Sequence, residues 1–445
     1  MIEAEPKISA GILDRRQRVR GRFEGRFSLA PGLFGAGEFE VHEQNGMLVL
    51  KLESGETWTH AGEMRCQNLS HSTFTLHEVI IGIGFHWERA EEQTFQGDLR
   101  LLLREEGSLT AINEIPLEDY LASVISSEMS ATAPLELLKA HAITSRSWLV
   151  AMLARERNQR QRGRPSLRTR QTADELIRWY DREDHDLFEV CADDHCQRYQ
   201  GVTKMISAAA AAAVAATRGM FLVHENAICD ARFSKACGGL SENFENCWEE
   251  TAVPYLRSIP DAEQPYPAVQ SEDAAERWML SKPAAFCNTD SGEILRQILP
   301  AFDQETADFF RWTVSHTREE LEEILRRKAG FEFGTLLALT PLQRGPSGRI
   351  VKLKITGSKQ SLIVGKELEI RRWLSPSHLY SSAFIVQTQG GGNGGAPEGF
   401  TLHGAGWGHG VGLCQIGAAV MATKGFTAEE IVQHYFRGAQ LKKLY

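Results

Sequence analysis

Apolar and polar residues alternate over most of the first quarter of the chain, in the range 20–110. Runs such as GEFEVHEQ, GMLVLKL and STFTLHEVIIGIGF have the period of two that is typical of β-strands. Turn-forming residues separate these runs, among them Asn45-Gly46, a pair preferred in two-residue hairpins. The pattern predicts a β-rich N-terminal module over residues 1–110, built as a sandwich or a barrel.

The period changes to that of a helix in residues 117–148, where the sequence is LEDYLASVISSEMSATAPLELLKAHAITSRSW. Leu121 and Val124 lie on one apolar stripe, and Glu128 follows one turn after Val124 on the same face. Desolvation at such a position favours the protonated form of a carboxyl group, as a general acid requires. The pattern is equally compatible with a helix that frays earlier and leaves Glu128 in solvent.

A second helix follows this corner, because Pro134 suits the first turn of a helix and apolar residues recur after it. Lys139 and Arg146 lie seven residues apart, which is two turns along one face. Two interpretations stay open. The two side chains could present fixed positive charges beside Glu128, or they could be solvated surface charges.

Helical patterns recur in the range 270–330, and strand-like alternation resumes from residue 350 onwards. Near the C terminus, the segment HGAGWGHGVGLCQIG has glycine at every second position from Gly404 to Gly412. Such a loop brings backbone close to a ligand, although it lacks the spacing and the lysine of a phosphate-binding loop. Thr427 and Glu430 have the spacing of a capping box at the start of the last helix.

These elements predict an α+β fold with a mixed, β-rich core and one helix-corner-helix. The predicted organisation has four parts: the N-terminal module at 1–110, a core whose two parts span 111–265 and 336–445, and an inserted helical lobe at 266–335.

Composition fits a globular protein, because 42% of the 445 residues are hydrophobic and 24% are charged. The net charge of −9 gives no overall basic surface for nucleic acid. No apolar run reaches the length of a membrane span, and the N-terminal segment MIEAEPKISAGILDRRQRVRGRF has no apolar region of a signal peptide. We therefore expect a globular chain with no nucleic-acid partner.

Eight cysteines in a chain of this length do not indicate a disulfide framework. Two of them form a compact group with two histidines: His185, Cys191, His195 and Cys196. This set matches the ligands of tetrahedral zinc, in a structural site because protein fills all four positions. The adjacent His195 and Cys196 can share a metal only on irregular backbone. The alternative is a redox-inert loop with two free thiols. Cys237 has no activating base beside it in sequence and is interpreted as structural or site-lining.

The helix-corner-helix resembles the core of the sporulation protein D/amidase-enhancer B (SpoIID/LytB) family. The family run Y-L-x-x-V-x-x-x-E-M-P is matched by residues 120–129, with Ser130 in place of the proline. The next family run, P-x-E-A-L-K-A-Q-A-x-x-A-R, has His141 in place of the glutamine. Its matched positions are Pro134, Glu136, Leu138, Lys139, Ala140, Ala142 and Arg146.

Two further blocks extend the resemblance over residues 115–445. The glycine-rich segment is similar to the family's G-x-G-H-G-V-G-M-S-Q-Y-G-A, with Leu413-Cys414 and Ile416 as departures. Gln197 and Tyr199 continue the His-Cys-Gln-x-Tyr cluster that binds zinc in some members.

The resemblance implies a peptidoglycan lytic transglycosylase, which cleaves MurNAc-GlcNAc strands and leaves 1,6-anhydro ends. The catalytic acid of the family is the Glu of its Glu-Met-Pro, which corresponds to Glu128. The glycan contacts expected here are Lys139, Arg146, His409 and Gln415. Zinc is the expected metal, and no organic cofactor is expected.

Two other classes of function stay open. A non-catalytic amidase enhancer has the same scaffold, binds glycan or a cell-wall amidase, and cleaves nothing. A glycan-binding cell-wall protein needs only the N-terminal β module and a groove that binds glycan. All three functions imply the bacterial cell envelope or periplasm.

Overall fold

The structure is a computed structural model that describes residues 2–83, 88–130, 132–162, 169–179, 185–193, 195–205, 208–298, 308–391 and 395–445. The α-helices in these ranges are α1 Leu117–Glu128, α2 Leu135–Arg162, α3 Ala208–Ala216, α4 Phe244–Cys247, α5 Glu272–Met279, α6 Gly292–Ile298, α7 Arg318–Ala329, α8 Glu367–Trp373, α9 Gln415–Thr423 and α10 Ala428–Tyr435. The strands are β1 Lys7–Arg16, β2 Arg18–Ala30, β3 Leu33–Gln44, β4 Met47–Leu52, β5 Thr57–His60, β6 Glu63–Ile81, β7 Arg89–Gln96, β8 Asp98–Leu103, β9 Leu109–Pro116, β10 Thr169–Gln171, β11 Glu175–Arg178, β12 Val190–Cys191, β13 Met220–His224, β14 Ala227–Ile228, β15 Phe233–Ser234, β16 Arg311–Thr317, β17 Leu336–Arg344, β18 Ile350–Gly357, β19 Ser361–Gly365, β20 Phe384–Gln389, β21 Gly399–Ala405, β22 Leu413–Cys414 and β23 Gln440–Lys443. The predicted α+β class is confirmed.

The chain forms two compact units. The first unit contains Met1–Ala142, Arg182–Met220 and Lys443–Tyr445, and the second contains Ile143–Asp181 and Phe221–Lys442. No helix in the described ranges is long and apolar enough to cross a membrane.

A ten-stranded sheet dominates the first unit, in the order β12-β1-β9-β8-β6-β2-β3-β4-β5, with β7 paired to β6. Strands β1 and β12 are parallel, whereas β1 and β9 are antiparallel. The predicted hairpin between β3 and β4 is present, and its central residues Asn45 and Gly46 have φ values of 54° and 77°. Two positive φ values are what a type I′ turn requires. The strand pattern predicted for this region is therefore confirmed.

Helix α1 begins directly after β9 and lies in the interior of the first unit, because ten of its twelve residues are buried. Glu118 and Asp119 occupy its first turn, where acidic side chains interact favourably with the helix dipole. The alanine-rich α3 packs against it, and the Ser123 hydroxyl donates a hydrogen bond to the Gly201 carbonyl at 2.7 Å. These contacts fix the direction of α1 and therefore the place of its last residue, Glu128.

Four smaller sheets and most of the helices form the second unit, and the largest sheet has the order β10-β11-β19-β18-β17. Its core contains large apolar side chains such as Leu353, Trp373 and Phe384. Helices α5, α6 and α7 confirm the helical patterns predicted between 270 and 330, of which residues 299–307 lie outside the described ranges. Strand β16 also lies in this range and pairs with β21. The capping box predicted for α10 is present.

Candidate functional site

Glu128 is the last residue of α1 and is buried, with 8% of its surface exposed. The alternative of a frayed helix with Glu128 in solvent is therefore wrong. Oε1 of Glu128 accepts a hydrogen bond from the backbone N–H of Arg198 at 3.2 Å. Among the residues that the structure describes, no lysine or arginine forms an ion pair with it. The carboxyl group is thus held in place without being tied to a fixed cation.

The four predicted metal ligands converge in the first unit, with one ligand atom from each lying within 4.8 Å of the others. His185 Nε2 lies 3.3 Å from Cys196 Sγ, and His195 Nδ1 lies 3.5 Å from Cys196 Sγ and 3.9 Å from Cys191 Sγ. Zinc with bonds of about 2.0 Å to nitrogen and about 2.3 Å to sulfur has nitrogen–sulfur edges of about 3.5 Å in a tetrahedron. The observed distances scatter around that edge, so these side chains fit one tetrahedral metal ion.

The backbone around these ligands explains why neighbours in sequence can share a metal. Cys191 ends the short edge strand β12, which pairs with β1 at Gly11. Residues 195–196 lie in a turn rather than a strand, as the prediction required. The Asp193 carboxylate accepts hydrogen bonds from the backbone N–H groups of Gly82 and Ile83, both at 3.0 Å. The metal-ligand loop, which comprises the described residues 185–193 and 195–199, is thus fixed to the sheet.

The same loop reaches α1. Tyr199 stacks on Tyr120 of the helix, with ring centroids 4.8 Å apart and planes 28° apart. The Tyr199 hydroxyl donates a hydrogen bond to Asn113 Oδ1 at 2.5 Å. Arg198, between the last ligand and this stacked pair, directs its backbone N–H at Glu128. The loop that carries the metal ligands therefore also positions the candidate acid.

Sequence reasoning missed the role of Arg198, because a backbone N–H can come from any residue except proline and leaves no residue-type signature. Tyr199 was noticed only through the family resemblance. Its partner Tyr120 belongs to the same family run as Glu128, but the stacking of the two rings depends on tertiary packing.

The two predicted basic contacts differ in their surroundings. Lys139 is half-buried in the first unit and donates to Glu136 Oε1 at 2.7 Å, one helical turn away. Arg146 belongs to the second unit and is fully buried at 0% exposure. The interpretation of a solvated surface charge is therefore wrong for Arg146.

His409 and Gln415 also belong to the second unit. Nδ1 of His409 accepts a hydrogen bond from the Val411 N–H at 3.0 Å, and its ring lies edge-on to Trp248 at 4.7 Å. Burial, and then nearby arginine side chains, lower the pKa of His409 well below its usual range, so the ring is neutral near pH 7. Gln415 is the first residue of α9 and is 4% exposed.

In the glycine-rich loop, residues 404–412, the glycine backbone lies close to other residues of this protein. The sequence predicted that this backbone lies close to a ligand. A Cβ added at Gly410, where φ is 74°, would lie 2.4 Å from the Arg349 guanidinium carbon. One added at Gly412 would lie 2.2 Å from the Arg232 carbonyl oxygen. Arg349 donates two hydrogen bonds to the Gly408 carbonyl, at 3.0 and 3.3 Å. Gly410 and Gly412 therefore make room for arginine and backbone atoms. The approach of the loop to a ligand stays a prediction.

Two parts of the chain match known protein families. Residues 105–224 match a family model described as "Stage II sporulation protein", and this match contains Glu128 and the four metal ligands. Residues 242–412 match a domain of unknown function, DUF8618.

Three similar proteins cover most of the chain. Stage II sporulation protein D of Bacillus amyloliquefaciens is 25% identical over 333 residues, which are 75% of this chain and 76% of that protein. Stage II sporulation protein D of Bacillus subtilis strain 168 is 24% identical over 339 residues, with 75% and 76% covered. An uncharacterized protein of Brachyspira hyodysenteriae is 24% identical over 335 residues, with 75% and 68% covered.

Proposed function

The chain belongs to the stage II sporulation protein D (SpoIID) family, whose members are related to the cell wall, and from this membership we propose that it is a peptidoglycan lytic transglycosylase. The substrate is a glycan strand of alternating MurNAc and GlcNAc. One observation carries the proposal. Glu128 is buried at the end of α1, is not tied to a described lysine or arginine, and is held by the backbone of the metal-ligand loop.

In the proposed reaction, the Glu128 carboxyl group gives its proton to the glycosidic oxygen as the bond from the muramoyl C1 to that oxygen breaks. The resulting carboxylate then takes the proton of the C6 hydroxyl of the same muramoyl residue. The C6 oxygen forms a bond to C1 and closes the 1,6-anhydro ring, so Glu128 ends in its starting protonation state. One carboxylate is sufficient because the substrate supplies the nucleophile, whereas glycoside hydrolases use a pair.

The backbone N–H of Arg198 acts between the two proton transfers, when Glu128 is ionised. A hydrogen bond donated to a carboxylate stabilises the ionised form, which exists only between the two proton transfers. His185, Cys191, His195 and Cys196 would hold zinc, which would supply a rigid cross-link between them. The role of these residues is to hold the loop that presents Arg198.

Lys139, Arg146, His409 and Gln415 remain the proposed glycan contacts. A neutral imidazole and a side-chain amide suit hydroxyl and acetamido groups, which are uncharged donors and acceptors. Peptidoglycan lies outside the cytoplasmic membrane, so the proposal places the protein in the cell envelope. A cell-wall amidase is the proposed protein partner, because amidases act on the peptide branches of the same strands.

The test compares wild type with E128Q on peptide-free glycan strands, with mass spectrometry of the products. Glutamine keeps the Oε1 acceptor for the Arg198 N–H but cannot transfer a proton, so we expect anhydro-ended fragments from wild type and a loss of at least about 100-fold in E128Q. D119N is the matched control, because Asp119 is an exposed carboxylate on the same helix. It should retain the wild-type rate.

Three other outcomes would change the proposed function or the role of Glu128. Anhydro products from E128Q at the wild-type rate would remove Glu128 from the mechanism. Reducing-end fragments from wild type would mean hydrolysis with a second carboxylate. Glycan binding without cleavage by wild type, with zinc bound, would support the amidase-enhancer function, which stimulation of an added amidase would then measure.

A further inference from the structure

A second group of metal-ligating side chains lies inside the second unit, away in sequence from the group at 185–196. Cys237, Asp261, Cys287 and Cys414 each direct one ligand atom into a space where all four atoms lie within 4.8 Å of one another. All four residues are buried, with exposures of 2%, 0%, 1% and 0%. The sequence predicts a single structural or site-lining thiol at Cys237 and no link to the other three residues.

The distances between these atoms fit a tetrahedral ion and do not fit a disulfide. Cys237 Sγ and Cys287 Sγ lie 3.7 Å apart. Two zinc–sulfur bonds of about 2.3 Å at a tetrahedral angle place their sulfurs about 3.8 Å apart, whereas a disulfide places them about 2.05 Å apart. The observed separation is therefore that of two thiolates on one zinc ion.

The surroundings of Asp261 also favour a bound metal ion. Its two oxygens accept hydrogen bonds from the Cys287 N–H at 2.8 Å and the Tyr435 hydroxyl at 2.6 Å. An ionised carboxylate accepts about four hydrogen bonds, so coordination capacity remains on the side of the sulfurs. Within the described ranges, Asp261 forms no ion pair with a lysine or arginine. Buried carboxylates are normally paired or bound to metal, and the neighbouring sulfurs supply no positive charge.

The backbone around Cys414 is arranged as it is around a metal thiolate. Cys414 Sγ accepts hydrogen bonds from the N–H groups of Cys237 at 3.3 Å and Gly417 at 3.4 Å. Donors of this kind orient and stabilise ligating sulfur. A Cβ at Gly417 would lie 2.3 Å from Asp261 Oδ1, so the absence of a side chain there leaves room for the carboxylate.

We propose that Cys237, Asp261, Cys287 and Cys414 form a second zinc site, which is structural and independent of the proposed reaction at Glu128. Three soft thiolates and one carboxylate oxygen are all ligand types that zinc accepts, and protein fills all four positions. The ion would connect four segments that are separate in sequence: the loop after β15, the residue after Pro260, the loop after α5 and the start of α9.

The decisive measurement is the zinc content of C191S/C196S, a variant that lacks the two thiols of the first group. The full chain would be purified without added metal, and its zinc would be determined by inductively coupled plasma mass spectrometry. We expect one zinc ion per chain in this variant and two in wild type. Cobalt(II) exchanged into the variant should give intense thiolate-to-cobalt charge-transfer absorption.

Two further variants locate the ion. C237S/C287S should lose one zinc ion relative to wild type, whereas C229S should lose none, because Cys229 is a buried thiol outside the group. If C237S/C287S does not fold, the zinc content of C191S/C196S still tests whether the second site exists. Folded C191S/C196S without zinc or cobalt absorption would overturn the proposal. A Cys237–Cys287 disulfide in peptide maps of the native protein would also overturn it.

Discussion

Two stacked tyrosines in the first unit differ by a single hydrogen bond, although both are fully buried. The Tyr199 hydroxyl donates to Asn113 Oδ1, while the Tyr120 hydroxyl has no hydrogen-bond partner among the described residues. The Asn113 amide cannot turn to compensate, because its Nδ2 already donates to the Gln96 and Asp98 carbonyls. Y199F therefore leaves a buried acceptor unsatisfied.

We expect Y199F to lower the free energy of unfolding by about 1–3 kcal/mol. Y120F is the matched control and should change it by less than about 0.5 kcal/mol, because it removes a hydroxyl without a partner. Urea unfolding followed by circular dichroism measures both values. Equal effects of the two substitutions would show that Tyr199 stabilises the loop through ring stacking alone.

At the scale of elements, substitutions can show whether glycine is required in the glycine-rich loop by its backbone conformation or by the lack of space for a side chain. Gly410 and Gly425 both have positive φ, at 74° and 93°, but only Gly410 faces a filled space. G425A should cost about 1–2 kcal/mol through backbone strain alone. G410A should cost about 1–3 kcal/mol more, because its Cβ would displace the Arg349 guanidinium from the Gly408 carbonyl. Denaturant midpoints of the two variants compare these costs, and equal midpoints would contradict the steric argument.

Local elements could be predicted from the sequence where a few neighbouring residues determine them. The hairpin at Asn45-Gly46 and the capping box at Thr427 each depend on a few consecutive residues. The ligand group at 185–196 was predictable for the same reason, since its four side chains lie within twelve residues. The pattern around Glu128 left the end of α1 open, and the structure places it at Glu128.

Elements that depend on distant pairing were not predictable in this way. The group of Cys237, Asp261, Cys287 and Cys414 is spread over 237–414, and no spacing rule connects such positions. Only the parallel pairing of β15 with β22 and the packing of the loops bring them together. The glycine alternation at 404–412 did not reveal the close approach to Arg349 and the Arg232 carbonyl, because approach to protein and approach to a ligand select glycine equally.

At the scale of the whole molecule, stability depends on pH through groups that act in opposite directions. Burial raises the pKa of Glu242 and lowers the pKa of His378 to about 4. An unfolded histidine binds its proton near pH 6.5, so between pH 6.5 and about 4 the unfolded state carries a proton at His378 that the folded state lacks. Stability from this group is therefore lost as the pH falls.

Glu242 has the opposite effect on stability, because its raised pKa makes the folded state bind more protons at this carboxyl group than the unfolded state does. The pH curve of wild type alone therefore cannot isolate one group, but a difference between two chains can. H378Q removes the titration of His378, which lies near Arg371, Lys328 and Arg372, and leaves the other groups in place. Its free energy of unfolding should fall less than that of wild type between pH 7 and pH 4, as measured by urea unfolding at each pH. Parallel curves would mean that His378 titrates equally in the folded and unfolded states, and that the burial and the three positive charges around it do not disfavour its protonation.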